Sequence, residues 1–235
     1  MSNFLPQILN NCLQITRALL PQACHLCGAD DAARPLCAPC LKELPWLQEN
    51  RCAVCAVTLA TGRVCGACLE RPPRFEKVEA VFAYRYPVDA LIRAYKYRGR
   101  LALARVLAEL LAREVARDID VIVPTPLAPR RLAERGFNQA LEIARVVAAE
   151  TGIALIPAAC RKITDTPPQA SLPWKERSRN VRRTFVCDAD FDGERVAVVD
   201  DVLTTGATLN ELARVLRKAG AGSVCGWVIA RALPR

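Results

Sequence analysis

Apolar side chains at Phe4, Leu5, Ile8, Leu9, Cys12, Leu13, Leu19 and Leu20 recur at near-helical spacing and predict a short amphipathic packing helix within residues 1–22. A run of β-formers extends from Val78 to Tyr86, Pro87 turns the chain, and Asp89 is placed to cap a helix reaching Tyr95. Further on, the pattern predicts helices over Leu101–Ala116, Ala140–Glu150 and Ala207–Ala219. It predicts strands over Val121–Val123, Ile153–Ile156, Val196–Val199 and Val224–Ala230, the first stopped by Pro124-Thr125-Pro126. Strands alternating with helices of this length make an α/β domain whose parallel sheet is covered on both faces. Residues 164–183 fit neither period, and an irregular stretch of that length inside a domain predicts a mobile lid.

Between the first helix and Val78 the sequence is organised by cysteine. Eight of the 12 cysteines lie between Cys24 and Cys68, and Cys24, Cys27, Cys37 and Cys40 recur as Cys52, Cys55, Cys65 and Cys68, each displaced by 28 positions. Leu26, Leu36, Leu41 and Pro45 have matching partners in Val54, Val64, Leu69 and Pro73, so the region reads as a duplicated unit. Each half has the spacing Cys-x2-Cys-x9-Cys-x2-Cys, and two such knuckles can close a tetrahedron of thiolates around a zinc ion. Two structural Zn2+ sites are therefore expected, with no open position for a substrate. Duplication favours consecutive sites, although spacing alone also permits a cross-braced pairing. With four sulfurs per site, His25 is expected to stay outside the coordination shell. Such ribbons serve either as nucleic-acid or protein platforms or as staples for a segment too small to build a core. Consecutive prolines at Pro72 and Pro73 then mark a boundary, giving a helix at 1–22, a double ribbon at 23–73 and an α/β domain at 74–235.

Charge and hydropathy narrow the setting. The chain of 235 residues carries 33 basic and 24 acidic side chains, net +9, which two four-thiolate zinc sites would reduce to about +5. No leader-like start is evident, and Arg105, Glu109 and Glu150 interrupt the longest apolar segments before a membrane span is reached. A cytoplasmic protein without a membrane span is expected. The positive balance suits a phosphorylated ligand or nucleic acid without requiring either.

The most informative segment runs Val196-Ala-Val-Val-Asp200-Asp201-Val-Leu-Thr204-Thr205-Gly206-Ala207-Thr208. An apolar strand leads to two carboxylates, which can accept hydrogen bonds from a ribose diol. The hydroxyl-rich turn that follows offers amides and a helix N-terminus to a phosphate, and Gly206 lets the backbone approach closely. A ribose phosphate would satisfy both halves.

At these residues the sequence resembles the phosphoribosyl pyrophosphate (PRPP) motif of type I phosphoribosyltransferases. Residues 90–99, Val123-Pro124-Thr125-Pro126-Leu127, Arg135-Gly136-Phe137-Asn138-Gln139 and the 166–180 pattern around Gln169, Leu172, Glu176, Arg177 and Asn180 resemble the ComF (GntX-like) family. The resemblance implies a type I phosphoribosyltransferase-like, Rossmann-like parallel sheet flanked by helices and preceded by a double zinc ribbon. It also implies a part in natural competence, meaning DNA uptake, transformation or DNA utilisation, and a place in nucleoside metabolism. Residue by residue, Asp200 and Asp201 would hold the ribose hydroxyls and act in catalysis, while Thr204, Thr205, Gly206, Ala207 and Thr208 would wrap the 5′-phosphate. Thr125, Lys96, Arg98 and Arg177 are candidates for the pyrophosphate and the lid. Mg2+ would accompany PRPP, neutralising charge on the leaving pyrophosphate. The basic runs 93–105 and 161–183 read as a closing surface over that charge, as solvated surface, or as contacts to nucleic-acid phosphate. Phe137 with its flanking amides reads equally as a base-stacking element or a helix cap. Two functions follow: phosphoribosyl transfer to an unidentified nitrogenous acceptor, or a non-catalytic PRPP or nucleotide sensor that binds single-stranded DNA and competence-machinery proteins.

Overall fold

A computed structural model of the protein describes residues 23–30, 35–164 and 183–233. The expected N-terminal helix and nearly all of the expected lid, Arg177 included, lie outside them. The chain divides into two compact units, Met1–Leu44 and Pro45–Arg235, so the division falls between the two cysteine repeats.

Each repeat builds the same small object. In the first, Cys24 N donates to Ala29 O and Gly28 N to Cys24 O, Ala23 bridges Asp30, and helix α1 (Ala38–Lys42) carries the second knuckle. In the second, Cys52 N donates to Val57 O and Ala56 N to Cys52 O, Arg51 bridges Thr58, and α2 (Gly66–Glu70) carries the second knuckle. Every one of these positions is displaced by 28, as Cys24 is from Cys52, so the duplication read from the sequence is a duplication of hydrogen bonds.

The larger unit continues as β1 (Val78–Ala83), α3 (Val88–Arg98), α4 (Leu101–Glu114), β2 (Val121–Pro124), α5 (Pro129–Arg135), α6 (Gln139–Thr151) and β3 (Ala154–Leu155). It ends with β4 (Cys160–Lys162), β5 (Phe185–Cys187), β6 (Arg195–Leu203), α7 (Ala207–Lys218) and β7 (Ser223–Arg231). The sheet order is β1-β7-β6-β2-β3 with every pairing parallel, while β4 and β5 form a separate antiparallel ribbon. Strand alternation sorts the core. Val121, Val123, Val196, Val198, Val224 and Val228 cluster with Leu209, Leu212 and Leu216 of α7 on one face, and α4 and α6 pack on β1, β2, β6 and β7 elsewhere. Trp227, in β7, is fully buried.

Several boundaries depart from expectation. Asp89 does not cap: Pro87 occupies the N-cap and Asp89 lies in the first turn, paired with Arg93 across i,i+4, and the helix runs on to Arg98. The α5 helix and the β4–β5 ribbon carried no clear period in the sequence because each is shorter than two periodic repeats. Strand β6 continues through Asp200 and Asp201 to Leu203, because β7 runs alongside and supplies partners for Asp200, Val202 and Leu203.

Candidate functional site

The strand order reverses between β2 and β6. From β2 the chain moves outward to β3, and from β6 it moves the other way to β7, so the carboxyl ends of β2 and β6 flank the crevice where open α/β sheets bind ligands. Strand β2 stops at Pro124, opposite Val199, and Thr125 N donates to Val199 O at 2.9 Å. Beyond that point β6 is paired on one side only, and Asp200 and Asp201 are the next two residues.

The period of two turns these carboxylates to opposite faces of the strand. Asp201 is 6% exposed and accepts an ion pair from Lys96 Nζ at 2.5 Å, with Lys96 in the last turn of α3. Asp200 Oδ1 accepts from the Asp201 backbone N–H at 2.8 Å. Burial and the neighbouring Asp201 charge push the Asp200 carboxyl up to about 7, Lys96 only partly offsetting them. Burial works against the Lys96 charge, but the Asp201 charge and hydrogen bond, with help from Asp200, outweigh it and raise the ammonium above its ordinary range. Near neutral pH the site thus holds one ion pair and one carboxyl poised between its two forms.

Next to the pair, Leu203 ends the strand, Thr204, Thr205 and Gly206 turn, and α7 begins at Ala207. Gly206 sits at φ +78, a left-handed conformation that favours glycine, and Ala207 N donates to Thr205 Oγ1 at 3.3 Å. The turn delivers the opening amides of a 12-residue helix to the same crevice. That helix can lie so close because β7 has Gly226 beneath it: a Cβ there would stand 2.4 Å from Leu209 Cδ2.

On the β2 side, the Thr125 hydroxyl is buried and makes no hydrogen bond of ordinary geometry, exerting only a weak pull on Asp200. Asn138 Nδ2 donates to Thr125 O at 3.1 Å while Asn138 Oδ1 accepts from Ala140 N, so this amide caps α6 and pins the turn. Phe137 packs against Tyr95 at 5.5 Å between centroids, and Tyr95 donates to Gln139 O. Between stacking and capping, the motif is therefore engaged in capping and packing. Gln139 is buried with Nε2 unpartnered, a second orphan polar atom beside this turn. Arg98 closes α3 with its side chain outside the described set, and Arg177 lies outside it entirely.

Two further groups, Tyr95 and Arg231, carry the site and were missed in the sequence. Arg231 is 5% exposed, directly after an apolar strand run. A charge at the end of such a run was the available signal.

The eight ribbon cysteines form two consecutive clusters, Cys24/Cys27/Cys37/Cys40 and Cys52/Cys55/Cys65/Cys68, with the sulfurs of each within 4.8 Å of one another. The cross-braced pairing is thereby excluded, and His25 is in neither cluster. Backbone amides donate to sulfur at 3.4 Å (Cys37 N to Cys24) and 3.3 Å (Cys65 N to Cys52), as expected of thiolate acceptors. Burial raises Cys24 and Cys52, but backbone N–H donors outweigh it and hold each at about 6; the neighbouring sulfurs of Cys37 and Cys27 push Cys40 up to about 12. Four sulfurs this close cannot all ionise unless a cation sits among them, and soft tetrahedral Zn2+ fits that donor set. No helix among the described residues is long and apolar enough to cross a membrane.

Comparison with known proteins agrees with both parts. Residues 15–69 match the double zinc ribbon domain and residues 102–232 the phosphoribosyl transferase domain. Competence protein F of Haemophilus influenzae is 30% identical over 220 residues, 89% of this chain and 90% of that protein. DNA utilization protein YhgH of Escherichia coli K12 is 32% identical over 172 residues, 70% of this chain and 76% of that one. Among solved structures, the allosteric regulatory enzyme of purine biosynthesis aligns at 23% identity and TM-score 0.41, over 58% of this chain and 29% of that one. The chain belongs to the ComF family, in which a double zinc ribbon precedes a phosphoribosyl transferase domain.

Proposed function

We propose that the crevice between β2 and β6 binds PRPP, with Mg2+, or a nucleotide containing ribose 5-phosphate, and that the protein uses this site in competence or DNA utilisation. The observation that carries the reading is the convergence, at one strand-order reversal, of the Asp200/Asp201 pair, the Thr204–Thr208 turn with its helix N-terminus, and the unpartnered Thr125 hydroxyl. Asp200 and Asp201 accept the ribose hydroxyls, the turn holds the 5′-phosphate, and the Thr125 turn faces the pyrophosphate. The hard oxygens of the two carboxylates also suit Mg2+, which supplies charge neutralisation on the leaving group when it arrives with PRPP. Transfer breaks the bond from the anomeric carbon to pyrophosphate and forms one to an acceptor nitrogen, whose proton is lost to solvent. Lys96, paired with Asp201, keeps that carboxylate oriented through this exchange.

Calorimetric titration with Mg-PRPP tests the reading. Saturable binding is expected for the native protein, weakened about 100-fold in Asp200→Asn/Asp201→Asn, since two hydrogen bonds to charged acceptors are lost. Absence of binding by the native protein overturns it. A second reading, nucleotide sensing coupled to single-stranded DNA, is favoured by Tyr97, which is 70% exposed with the Arg135 guanidinium 5.3 Å from its ring centre beside the basic 93–105 run. It requires DNA binding that weakens by powers of ten between 50 and 200 mM salt, roughly as for several phosphate contacts. Undetectable binding at low salt removes it.

A further inference from the structure

Arg231 closes β7 and is 5% exposed, yet no carboxylate among the described residues lies within ion-pair distance of it. Its guanidinium is instead shared among backbone carbonyls. Nε donates to Cys55 O at 2.7 Å, and Nη1 donates to Leu203 O at 3.1 Å and to Thr204 O and Ala232 O. One buried cation therefore ties a ligand residue of the second cysteine cluster to Leu203, the last residue of β6, and Thr204, the first of the phosphate turn. A second strut runs alongside it through apolar contact. Ala56, which follows Cys55, is 1% exposed and packs in one core cluster with Phe75, Leu203 and Leu209, and the Phe75 ring lies 3.6 Å from where a Gly206 Cβ would stand. Arginine suits this position because its planar fork spreads donors over separate nitrogens, Nε toward Cys55 O and Nη1 toward Leu203 O, whereas a lysine ammonium has all its donors on one atom.

We propose that Arg231 makes the second zinc cluster and the phosphate turn one cooperative unit, so that zinc at Cys52/Cys55/Cys65/Cys68 orders the turn for a ribose phosphate and a bound ribose phosphate in turn retains that zinc. Arg231 is a positioning residue, acting through the carbonyls of Leu203 and Thr204. Coupling of this kind is reciprocal, so either direction can be measured. The proposal rests on the phosphate-site reading in its ligand-dependent half alone.

The ligand-free half is tested by hydrogen exchange on the full-length zinc-loaded protein, before and after chelation. Amides of residues 203–208 are expected to lose protection by about tenfold or more as zinc leaves the second cluster. In Arg231→Lys these amides start less protected and respond little to chelation. Protection that survives zinc loss in the native protein overturns the proposal whatever the ligand does. The ligand-dependent half follows zinc release to a chromogenic chelator with and without ribose 5-phosphate. One of the two zinc ions is expected to leave at least about fivefold more slowly with ligand present, and Arg231→Lys to abolish the difference while still binding two zinc ions. If ribose 5-phosphate binds and neither release rate changes, the coupling is refuted. If it does not bind at all, the phosphate-site reading fails, and the exchange result decides the coupling by itself.

Discussion

The two cysteine repeats have the same hydrogen bonds and different neighbours. In the first, the residue after the second knuckle cysteine is Gly28, at φ +73, with nothing within 4 Å of where a Cβ would stand. In the second it is Ala56, at φ +57, a conformation that costs an L-residue roughly 1 kcal/mol. The methyl group is nonetheless retained, because it is buried in the core beneath the sheet. The left-handed alanine thus belongs to the repeat whose knuckle packs into the core of the larger unit, and a glycine stands at the equivalent position of the repeat in the smaller unit. Duplication supplied two copies of the four-cysteine unit, and in the second the knuckle alanine joins the core of the α/β unit and Cys55 O accepts from Arg231.

That contrast predicts unequal consequences for equal lesions. Cys68→Ser is expected to lower the main thermal transition by roughly 10 °C or more, since metal affinity lost there is folding free energy of the α/β unit. Cys40→Ser should act chiefly on the transition of the smaller unit; equal effects on the main transition, read by calorimetry with zinc stoichiometry, would erase the distinction. Arg231→Met comes next, removing the guanidinium donor from Cys55 O and Thr204 O while Leu203 O keeps its bond from Ala232 N, at a cost of about 2–4 kcal/mol in chemical denaturation. A loss under about 1 kcal/mol would mean water replaces the guanidinium and the two regions are not joined through it.

The region around Asp200 adds a pH signature of its own. The Asp200 pKa is raised to about 7 in the folded protein, so its contribution to stability is fully present below the unfolded value near 3.8 and is lost as pH rises through 7. A ligand that hydrogen-bonds the carboxylate acts in the opposite sense: its affinity rises from pH 6 to 8, by at most about tenfold per unit. Asp200→Asn flattens both profiles. A native protein whose PRPP affinity is constant over that range would show that Asp200 does not accept from the ligand. The smallest effect is the reciprocal exchange at the knuckles. Gly28→Ala should destabilise the smaller unit by about 1 kcal/mol through backbone strain alone, whereas Ala56→Gly trades strain relief against a lost buried methyl and should cost the larger unit about 1 kcal/mol or less. Stabilisation in either variant would remove the argument from Ala56.

Much of this protein was legible in local sequence. The period of 28, the knuckle spacing and the Thr204-Thr205-Gly206 turn opening a helix are short-range patterns, and each has the local structure it implied. Asn138 was ambiguous because a capping amide and a base-reading amide have the same chemistry; its bonds to Thr125 O and Ala140 N decided for the cap. The full length of β6 was hidden because Asp200 and Asp201 look like the end of a strand, and only pairing with β7 carries the ladder past them.

The sequence alone determined that there are two four-cysteine units, an alternation of strands and helices, and an Asp-Asp strand followed by a Thr-Thr-Gly turn, because each is written in local spacing. Tertiary structure alone decided that Lys96 neutralises Asp201, that Asp200 is poised near neutrality, and that Arg231 reaches Cys55 across 176 residues of chain. Those pairings depend on which strand ends the topology gathers into one crevice. Burial there makes every charge seek a partner, and no local pattern encodes which partner it finds.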